Sequence, residues 1–98
     1  MKFLVLGAGR QGIAIIHDIL TRSGHSVTVA DRDRTALELA QKRFPEVGVT
    51  TIDLNELWDV ARALTGVDVC ISAAPYFYNL VLARTAIENR VHFCENLK

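Results

Sequence analysis

Three glycines near the start of the chain have the spacing that brings a phosphate against backbone N–H groups. Gly7, Gly9 and Gly12 form a Gly-x-Gly-x-x-Gly pattern directly after the short apolar run at 2–6. The first glycine allows a sharp turn, the second leaves no side chain between backbone and pyrophosphate, and the third lets a helix lie close to the strand. A helix N-terminus also carries a partial positive charge. The pattern predicts dinucleotide binding, and an ordinary glycine turn is the alternative.

An acidic residue follows the second apolar run, where such sites contact the adenosine ribose. Val27–Ala30 is that run, and Asp31 lies about twenty residues beyond the last glycine. A carboxylate there accepts hydrogen bonds from the ribose hydroxyls and repels a 2′-phosphate, which favours NAD over NADP. Arg32 complicates this choice because a guanidinium can pair with a 2′-phosphate or stack on adenine. We therefore expect NAD as the cofactor, with NADP as the alternative. A turn or helix-entry role is the alternative for Asp31.

Strands and helices alternate along the chain and predict the frame that positions these residues. The later strands are expected at 27–30, 47–52, 67–71 and 91–94, and the helices after Gly9 and near Arg34, Asp53 and Tyr78. Apolar runs without strict alternation suit parallel strands that are covered on both faces. Right-handed crossovers then give the strand order 3-2-1-4-5. The predicted fold is α/β, a doubly wound parallel sheet with helices on both faces, and its ligand crevice lies between strands 1 and 4.

Local patterns predict how the second and third helices begin and what they bury. Asp33 is expected to cap a helix that reaches Phe44. Asp53 and Glu56 have capping-box spacing before the third helix. In that helix, Trp58 is expected to be half-buried, whereas four residues have core spacing: Leu57, Val60, Ala61 and Leu64.

Composition limits the classes of function. The chain has 98 residues, 50% of them hydrophobic, with 11 basic and 11 acidic residues. The balanced charge argues against a nucleic-acid partner, and no apolar run approaches the ~20 residues that span a bilayer. We expect a cytoplasmic protein, in which Cys70 and Cys94 are small buried side chains on neighbouring strands. The three histidines do not have the spacing of a metal site.

A loop of small residues follows the fourth predicted strand. Ser72-Ala73-Ala74-Pro75-Tyr76 would face the glycine turn across the crevice, and small side chains let a cofactor pass close to the backbone. A tight strand-to-helix connection is the alternative. Tyr76 and Tyr78 either reach the ribose or nicotinamide side of a cofactor or are surface aromatics. The sequence identifies no catalytic acid or base.

Three segments resemble the N-terminal Rossmann domain of the saccharopine dehydrogenase and lysine 6-dehydrogenase family. They are Val5-Leu-Gly-Ala-Gly-Arg-Gln-Gly12, Val67-Asp-Val-Cys-Ile-Ser-Ala-Ala-Pro-Tyr-Phe-Tyr-Asn79 and Ala86-Ile-Glu-Asn-Arg-Val-His-Phe-Cys94. The resemblance implies NAD(P)-dependent oxidation of an amine in a lysine-type amino acid or its adduct. It implies that the pyrophosphate is held by Gly7, Gly9, Arg10, Gln11 and Gly12, the adenosine ribose by Asp31, and the cofactor's other side by Ser72, Ala73, Ala74 and Pro75.

Family members continue into a sixth strand and a large substrate domain, whereas this chain stops at Lys98. We therefore expect residues 1–98 to be one dinucleotide-binding domain of a larger two-domain enzyme, inactive in isolation. Its partners would be the missing substrate domain or a second copy joined through the exposed edge of strand five.

Two other functions remain open. The first is a regulatory domain that senses NAD(H) or adenine nucleotides, as in potassium transport systems. Such domains commonly have a Gly-Asp-Ala-Thr-like loop after strand three, where this chain has Ile52-Asp53-Leu54-Asn55. The second is a fold-only fragment that binds no ligand tightly.

Overall fold

Five strands and four α-helices alternate in the computed structural model, which describes residues 1–22 and 24–95 with every side chain except that of Tyr76. The strands are β1 (Lys2–Leu6), β2 (Ser26–Asp31), β3 (Gly48–Thr51), β4 (Val69–Ser72) and β5 (His92–Glu95). The helices are α1 (Arg10–Leu20), α2 (Arg34–Arg43), α3 (Leu57–Leu64) and α4 (Asn79–Glu88), and a 3₁₀ turn at Tyr76–Tyr78 precedes α4.

The strands form one parallel sheet in the order β3-β2-β1-β4-β5. The predicted order and the Rossmann-type α/β fold are confirmed. Leu6, at the end of the central strand, pairs with Ala30 of β2 on one side and with Ser72 of β4 on the other. Because parallel strands point the same way, the segments that follow these three residues meet at one edge of the sheet.

A hydrophobic cluster lies on each face of the sheet. Leu4 and Leu6 of β1 pack with α3 and α4, whereas Val5 between them packs with α1 and α2. One cluster contains Ile16, Ile19, Leu37 and Ala40, and the other contains Val60, Leu64, Leu82 and Ala86. Successive side chains of a strand point to opposite faces, so an apolar β1 that is buried on both sides fixes the helices on both faces.

The N-terminus of α2 confirms the prediction, and that of α3 does not. Asp33 caps α2 by accepting hydrogen bonds from the N–H groups of Thr35 and Ala36. The predicted capping box of α3 is wrong, because α3 begins at Leu57. Asp53 instead accepts hydrogen bonds from the backbone and side-chain amides of Asn55, 2.9 and 3.1 Å away. This local turn competes with helix formation, as it commonly does for Asp and Asn.

Two predictions of burial on the α3 side are wrong. Trp58 is 86% exposed, although it was expected to be half-buried. It lies two residues before the buried Val60, and about 100° of rotation per residue places it on the opposite side of α3. Leu57, expected at a core position, is also exposed at the first residue of the helix.

The two cysteines differ in burial. Cys70 lies in the core, and this burial raises the pKa of its thiol to about 12. Cys94 is exposed, so its expected burial is wrong. It follows Phe93 in the edge strand β5, and Phe93 packs against the α3–α4 cluster. Strand alternation therefore directs Cys94 to the other face.

Candidate functional site

A crevice of about 320 Å³ opens at the carboxyl ends of the strands. Seven residues that the sequence predicted as cofactor-binding line it: Gly7, Gly9, Asp31, Arg32, Ala73, Ala74 and Pro75. They come from the end of β2 and from the turns after β1, β2 and β4, which are adjacent strands in the sheet. The structure thus brings together residues from the first ten positions of the chain and residues beyond position 70.

Four other predicted site residues lie outside the crevice lining. Gly12 is buried beneath Gly7, and Arg10 and Gln11 are exposed at the start of α1, where both line a separate groove along the helix. Ser72 is fully buried behind the loop that follows β4.

The glycine turn brings β1 and α1 very close together. Gly7 has φ of +109°, a left-handed value that favours glycine, and its N–H donates to the carbonyl oxygen of Ala30 at 2.8 Å. A Cβ at Gly12 would overlap the carbonyl oxygen of Gly7 and lie 2.8 Å from its carbonyl carbon. Gly9, by contrast, has no atom within 4 Å of an added Cβ, so the space above it is open.

The N-terminus of α1 faces this open space without a capping side chain. Its N-cap is Gly9, and the first turn contains no acidic residue. Helix N-termini attract anions through their N–H groups and the helix dipole. This end of α1 is therefore suited to a pyrophosphate.

Asp31 connects the glycine turn to the start of α2. Its Oδ2 accepts a hydrogen bond from the N–H of Ala8 at 2.8 Å, and its Oδ1 accepts one from the N–H of Asp33 at 2.9 Å. Each carboxylate oxygen can accept a further bond. The carboxylate therefore fixes the turn and is still able to accept a ribose hydroxyl.

The loop after β4 forms the opposite wall. The N–H of Ala73 donates to the carbonyl oxygen of Leu6 at 2.8 Å, which continues the sheet ladder beyond Ser72. The carbonyl oxygen of Ala73 lies 3.2 Å from the position that a Cβ at Gly7 would occupy. The two turns are thus in contact, and a side chain at Gly7 would separate them.

Sequence reasoning did not assign a cofactor role to the segment after β3. Ile52, Asp53, Leu54 and Asn55 line the crevice beside Arg32, as do Phe77 and Tyr78 on the β4 side. Tyr78 is one of the two aromatics for which cofactor contact and surface exposure were both left open, and the side chain of the other, Tyr76, lies outside the described part of the structure. The sequence could have indicated that residues 52–55 line the crevice, because β3 is parallel to β2 and ends at the same edge of the sheet. Ile52 was instead assigned to the third strand, and Asp53 to the start of α3.

The described residues, 1–22 and 24–95, lack two kinds of feature. This part of the chain contains no group of three or more His, Cys, Asp or Glu side chains placed to hold a metal ion. Within the same ranges, no helix has the length and apolar character needed to cross a membrane.

Comparison with protein families identifies a relationship over nearly the whole chain. Residues 3–96 match the family described as the saccharopine dehydrogenase NADP binding domain. A curated relative is the NADP⁺-dependent, L-glutamate-forming saccharopine dehydrogenase of Schizosaccharomyces pombe. It is 26% identical over 93 residues, which are 95% of this chain and 21% of that protein.

Solved structures share the fold. The apo L-glutamate-forming saccharopine dehydrogenase of Saccharomyces cerevisiae superimposes with a TM-score of 0.87 and 22% identity, over 96% of this chain and 21% of that one. The Pen protein of Bacillus thuringiensis gives 0.82 and 19% identity, over 92% and 35%. The chain therefore spans about a fifth of the length of the two saccharopine dehydrogenases.

Proposed function

The chain belongs to the saccharopine dehydrogenase NADP-binding domain family, and we propose that it is the dinucleotide-binding domain of an oxidoreductase that acts on the amine of an amino acid. The crevice carries this proposal. An uncapped helix N-terminus, a glycine turn with open space above Gly9 and the Asp31 carboxylate at the end of β2 lie at the carboxyl ends of adjacent strands. The relatives from Schizosaccharomyces pombe and Saccharomyces cerevisiae are named saccharopine dehydrogenases, and this chain matches about a fifth of the length of each.

The arrangement of the crevice suggests how a dinucleotide is held. Gly7, Gly9 and the N-terminal backbone of Arg10 and Gln11 would hold the pyrophosphate, because the positive end of α1 is there. Asp31 would accept a hydrogen bond from the adenosine ribose, and the segment 52–55 after β3 would contact the adenine. The loop at 73–75 would receive the nicotinamide half. A bound nicotinamide supplies the hydride acceptor for oxidation of the amine.

We propose that the chain alone binds the dinucleotide without turning over a substrate. Hydride transfer needs a substrate held over the nicotinamide and a group that moves the amine proton. In the described ranges, the crevice lining offers Asp31, Arg32, Asp53 and Tyr78 as its ionisable side chains. The first three lie at the adenosine end. The groups that hold the substrate and move the amine proton would come from a second domain, as the larger relatives suggest.

The choice between NAD and NADP rests on Asp31 and Arg32. The carboxylate charge of Asp31 opposes a 2′-phosphate, which supports NAD(H) as the tighter ligand. The family description names NADP, and Arg32 beside the crevice could pair with that phosphate. We propose that both dinucleotides bind and that NAD(H) binds more tightly, since the carboxylate is fixed in place by Ala8 and Asp33.

Isothermal calorimetry with NADH, NADPH, ADP and AMP tests these proposals. We expect NADH to bind about tenfold more tightly than NADPH, and Asp31→Asn to reduce that ratio to about one. Arg32→Ala should weaken the binding of NADPH and change the affinity for NADH by less than about twofold. Glu38→Gln, an exposed change on α2 outside the crevice, is the matched control.

Each contrary outcome of this titration has a defined meaning. Tighter binding of NADPH by the wild-type chain would overturn the NAD assignment and keep the dinucleotide site. Tighter binding of AMP or ADP than of either dinucleotide would favour the nucleotide-sensing alternative. Absence of binding by all four ligands would refute the proposed function.

The outer edge of β5 supports a proposal about assembly. In the sheet order, β5 has β4 as its neighbour on one side, and no strand among residues 1–22 and 24–95 pairs with its other edge. Such an edge presents backbone N–H and C=O groups that can pair with another chain. We propose that a second copy of the chain or the substrate domain covers this edge. Sedimentation of the isolated chain over a concentration series should show a dimer, and a monomer at every concentration would argue against self-association.

A further inference from the structure

We infer that Asn79, at the start of α4, is a positioning residue that holds the Ala73–Pro75 loop in the shape that receives the nicotinamide half of the dinucleotide. This inference rests on the proposed function and extends it to a residue outside the crevice lining. Asn79 acts through Ser72, which lies between it and the loop. The structural basis is a short chain of hydrogen bonds inside the protein.

Burial shows that this pair is unusual. In the described part of the chain, Ser72 and Asn79 are the two buried polar residues, with exposures of 0% and 6%. Burying a polar side chain among apolar ones is unfavourable unless it is hydrogen-bonded. An aliphatic residue would fill either position at less cost, so packing alone does not explain the pair.

The hydrogen bonds run from α4 to the backbone of the loop. The hydroxyl of Ser72 donates to Oδ1 of Asn79 at 2.8 Å. The same hydroxyl oxygen accepts a hydrogen bond from the N–H of Ala74 at 3.3 Å. Asn79 thereby fixes the direction of the Ser72 hydroxyl, and the hydroxyl fixes the middle of the loop.

The loop needs this second attachment because the sheet ladder ends before it. Ala73 is still bonded to Leu6 of β1, but Pro75 has no N–H with which to continue. Ala74 lies between them, and its N–H depends on Ser72. Loss of the pair would free the N–H of Ala74, whereas Ala73 stays bonded to Leu6 and the carbonyl oxygen of Pro75 still accepts from the N–H of Tyr78 at 3.0 Å.

The geometry assigns the effect to one half of the ligand. Asp31 and the segment 52–55 lie on the β2–β3 side of the crevice, and the loop lies on the β4 side. A dinucleotide whose adenosine lies over β2 and whose pyrophosphate lies over β1 must place its other half over β4. Asn79 should therefore influence the binding of the whole dinucleotide and not that of its adenosine diphosphate part.

The test compares two ligands in Asn79→Ala. We expect the affinity for the preferred reduced dinucleotide to fall by about tenfold, whereas the affinity for ADP changes by less than about twofold. Asn89→Ala is the matched control, because Asn89 caps the other end of α4 and donates to Thr85. It should leave both affinities unchanged. Asn79→Asp keeps an acceptor oxygen for Ser72 and should restore part of the dinucleotide affinity.

Several outcomes would overturn the inference. A parallel loss of ADP and dinucleotide affinity would show that Asn79 acts only through general stability. Unchanged affinity for both ligands, in a variant shown to fold by circular dichroism, would show that the loop does not depend on Asn79. If Asn79→Ala does not fold, Ser72→Ala supplies the same comparison.

A ligand-free measurement separates this inference from the proposed function. Amide hydrogen exchange of the apo chain should show that Asn79→Ala speeds exchange at Ala74 by about tenfold or more relative to Ala73. Equal protection of Ala74 in both proteins would overturn the positioning role even if the dinucleotide binds. Failure of the wild-type chain to bind any dinucleotide would overturn the proposed function, and with it the ligand that we assign to the loop.

Discussion

The helices α1 and α2 pack on the same face of the sheet, yet they begin in opposite ways. The N-cap of α1 is Gly9, which has no side chain to accept a hydrogen bond. The N-cap of α2 is Asp33, whose Oδ1 accepts from the N–H groups of Thr35 and Ala36 at 3.0 and 3.3 Å. The N-terminus of α2 therefore has a side-chain cap, whereas that of α1 has none.

The difference separates stability from ligand binding. A carboxylate cap stabilises a helix by about 1 kcal/mol, so its omission at α1 has a measurable cost. A carboxylate at Gly9 would occupy the N–H groups that a pyrophosphate needs and would repel its charge. Asp31 joins the two sites by accepting from Ala8 and from Asp33. A chain that only needed to fold would favour a cap at both helices.

The largest expected effect comes from adding a side chain at Gly12, where α1 packs closely against the end of β1. Gly12→Ala places a Cβ against the carbonyl group of Gly7, and backbone atoms have little room to move. We expect the free energy of unfolding to fall by about 3 kcal/mol, measured by urea denaturation. Gly9→Ala is the control, because its Cβ meets nothing within 4 Å. Loss of less than about 1 kcal/mol in Gly12→Ala would contradict the close packing of α1 on β1.

The second prediction gives α1 the cap that α2 has. The backbone at Gly9 is extended, with φ −77° and ψ −165°, as an aspartate cap requires. Gly9→Asp should stabilise the apo chain by about 1 kcal/mol and weaken dinucleotide binding by about a hundredfold or more. Thermal unfolding and calorimetry measure the two effects. Gly9→Asn, a cap without charge, separates the loss of N–H groups from charge repulsion. Retained affinity in both variants would place the pyrophosphate elsewhere.

The third prediction removes the cap from α2 and has the smallest effect. Asp33→Ala should lower the free energy of unfolding by about 1 kcal/mol, because two N–H groups lose their acceptor. The backbone N–H of residue 33 still donates to Asp31, so dinucleotide affinity should stay within about twofold. Asp33→Ser keeps a capping oxygen and should recover most of the stability. A loss of affinity as large as that of Gly9→Asp would mean that the two N-termini are not independent.

Much of this comparison could be predicted from sequence because its causes are local. The glycine spacing, the apolar run of β2 and the position of Asp33 each act over a few residues, and the strand order followed from the handedness of the crossovers. The same local reasoning was wrong at α3, where Asp53 had the spacing of a cap. There the side chain of Asp53 bonds to Asn55, and sequence alone does not indicate which of these two local structures is more stable.

The remaining features of the site depend on tertiary structure. Ile52 and Leu54 line the crevice because β3 lies beside β2 and ends at the same edge, so the predicted strand order carries the signal for them and the local pattern around them does not. Ser72 was predicted to line the cofactor, but its hydroxyl is directed inward to Asn79, seven residues later. The type of residue could be read from the sequence, whereas the direction of its side chain is set by packing against α4.

The two hydrophobic clusters also determine the order in which the protein can assemble during synthesis. The buried members of the α1–α2 cluster all lie between Val5 and Val47, whereas the α3–α4 cluster extends to Val91. The first half of the chain can therefore fold onto one face of β1 as it leaves the ribosome. The other edge of β1 stays unpaired until β4, at residues 69–72, has been synthesised. Until then that edge is open to incorrect strand pairing, so a pause in translation after β3 would expose the chain to aggregation.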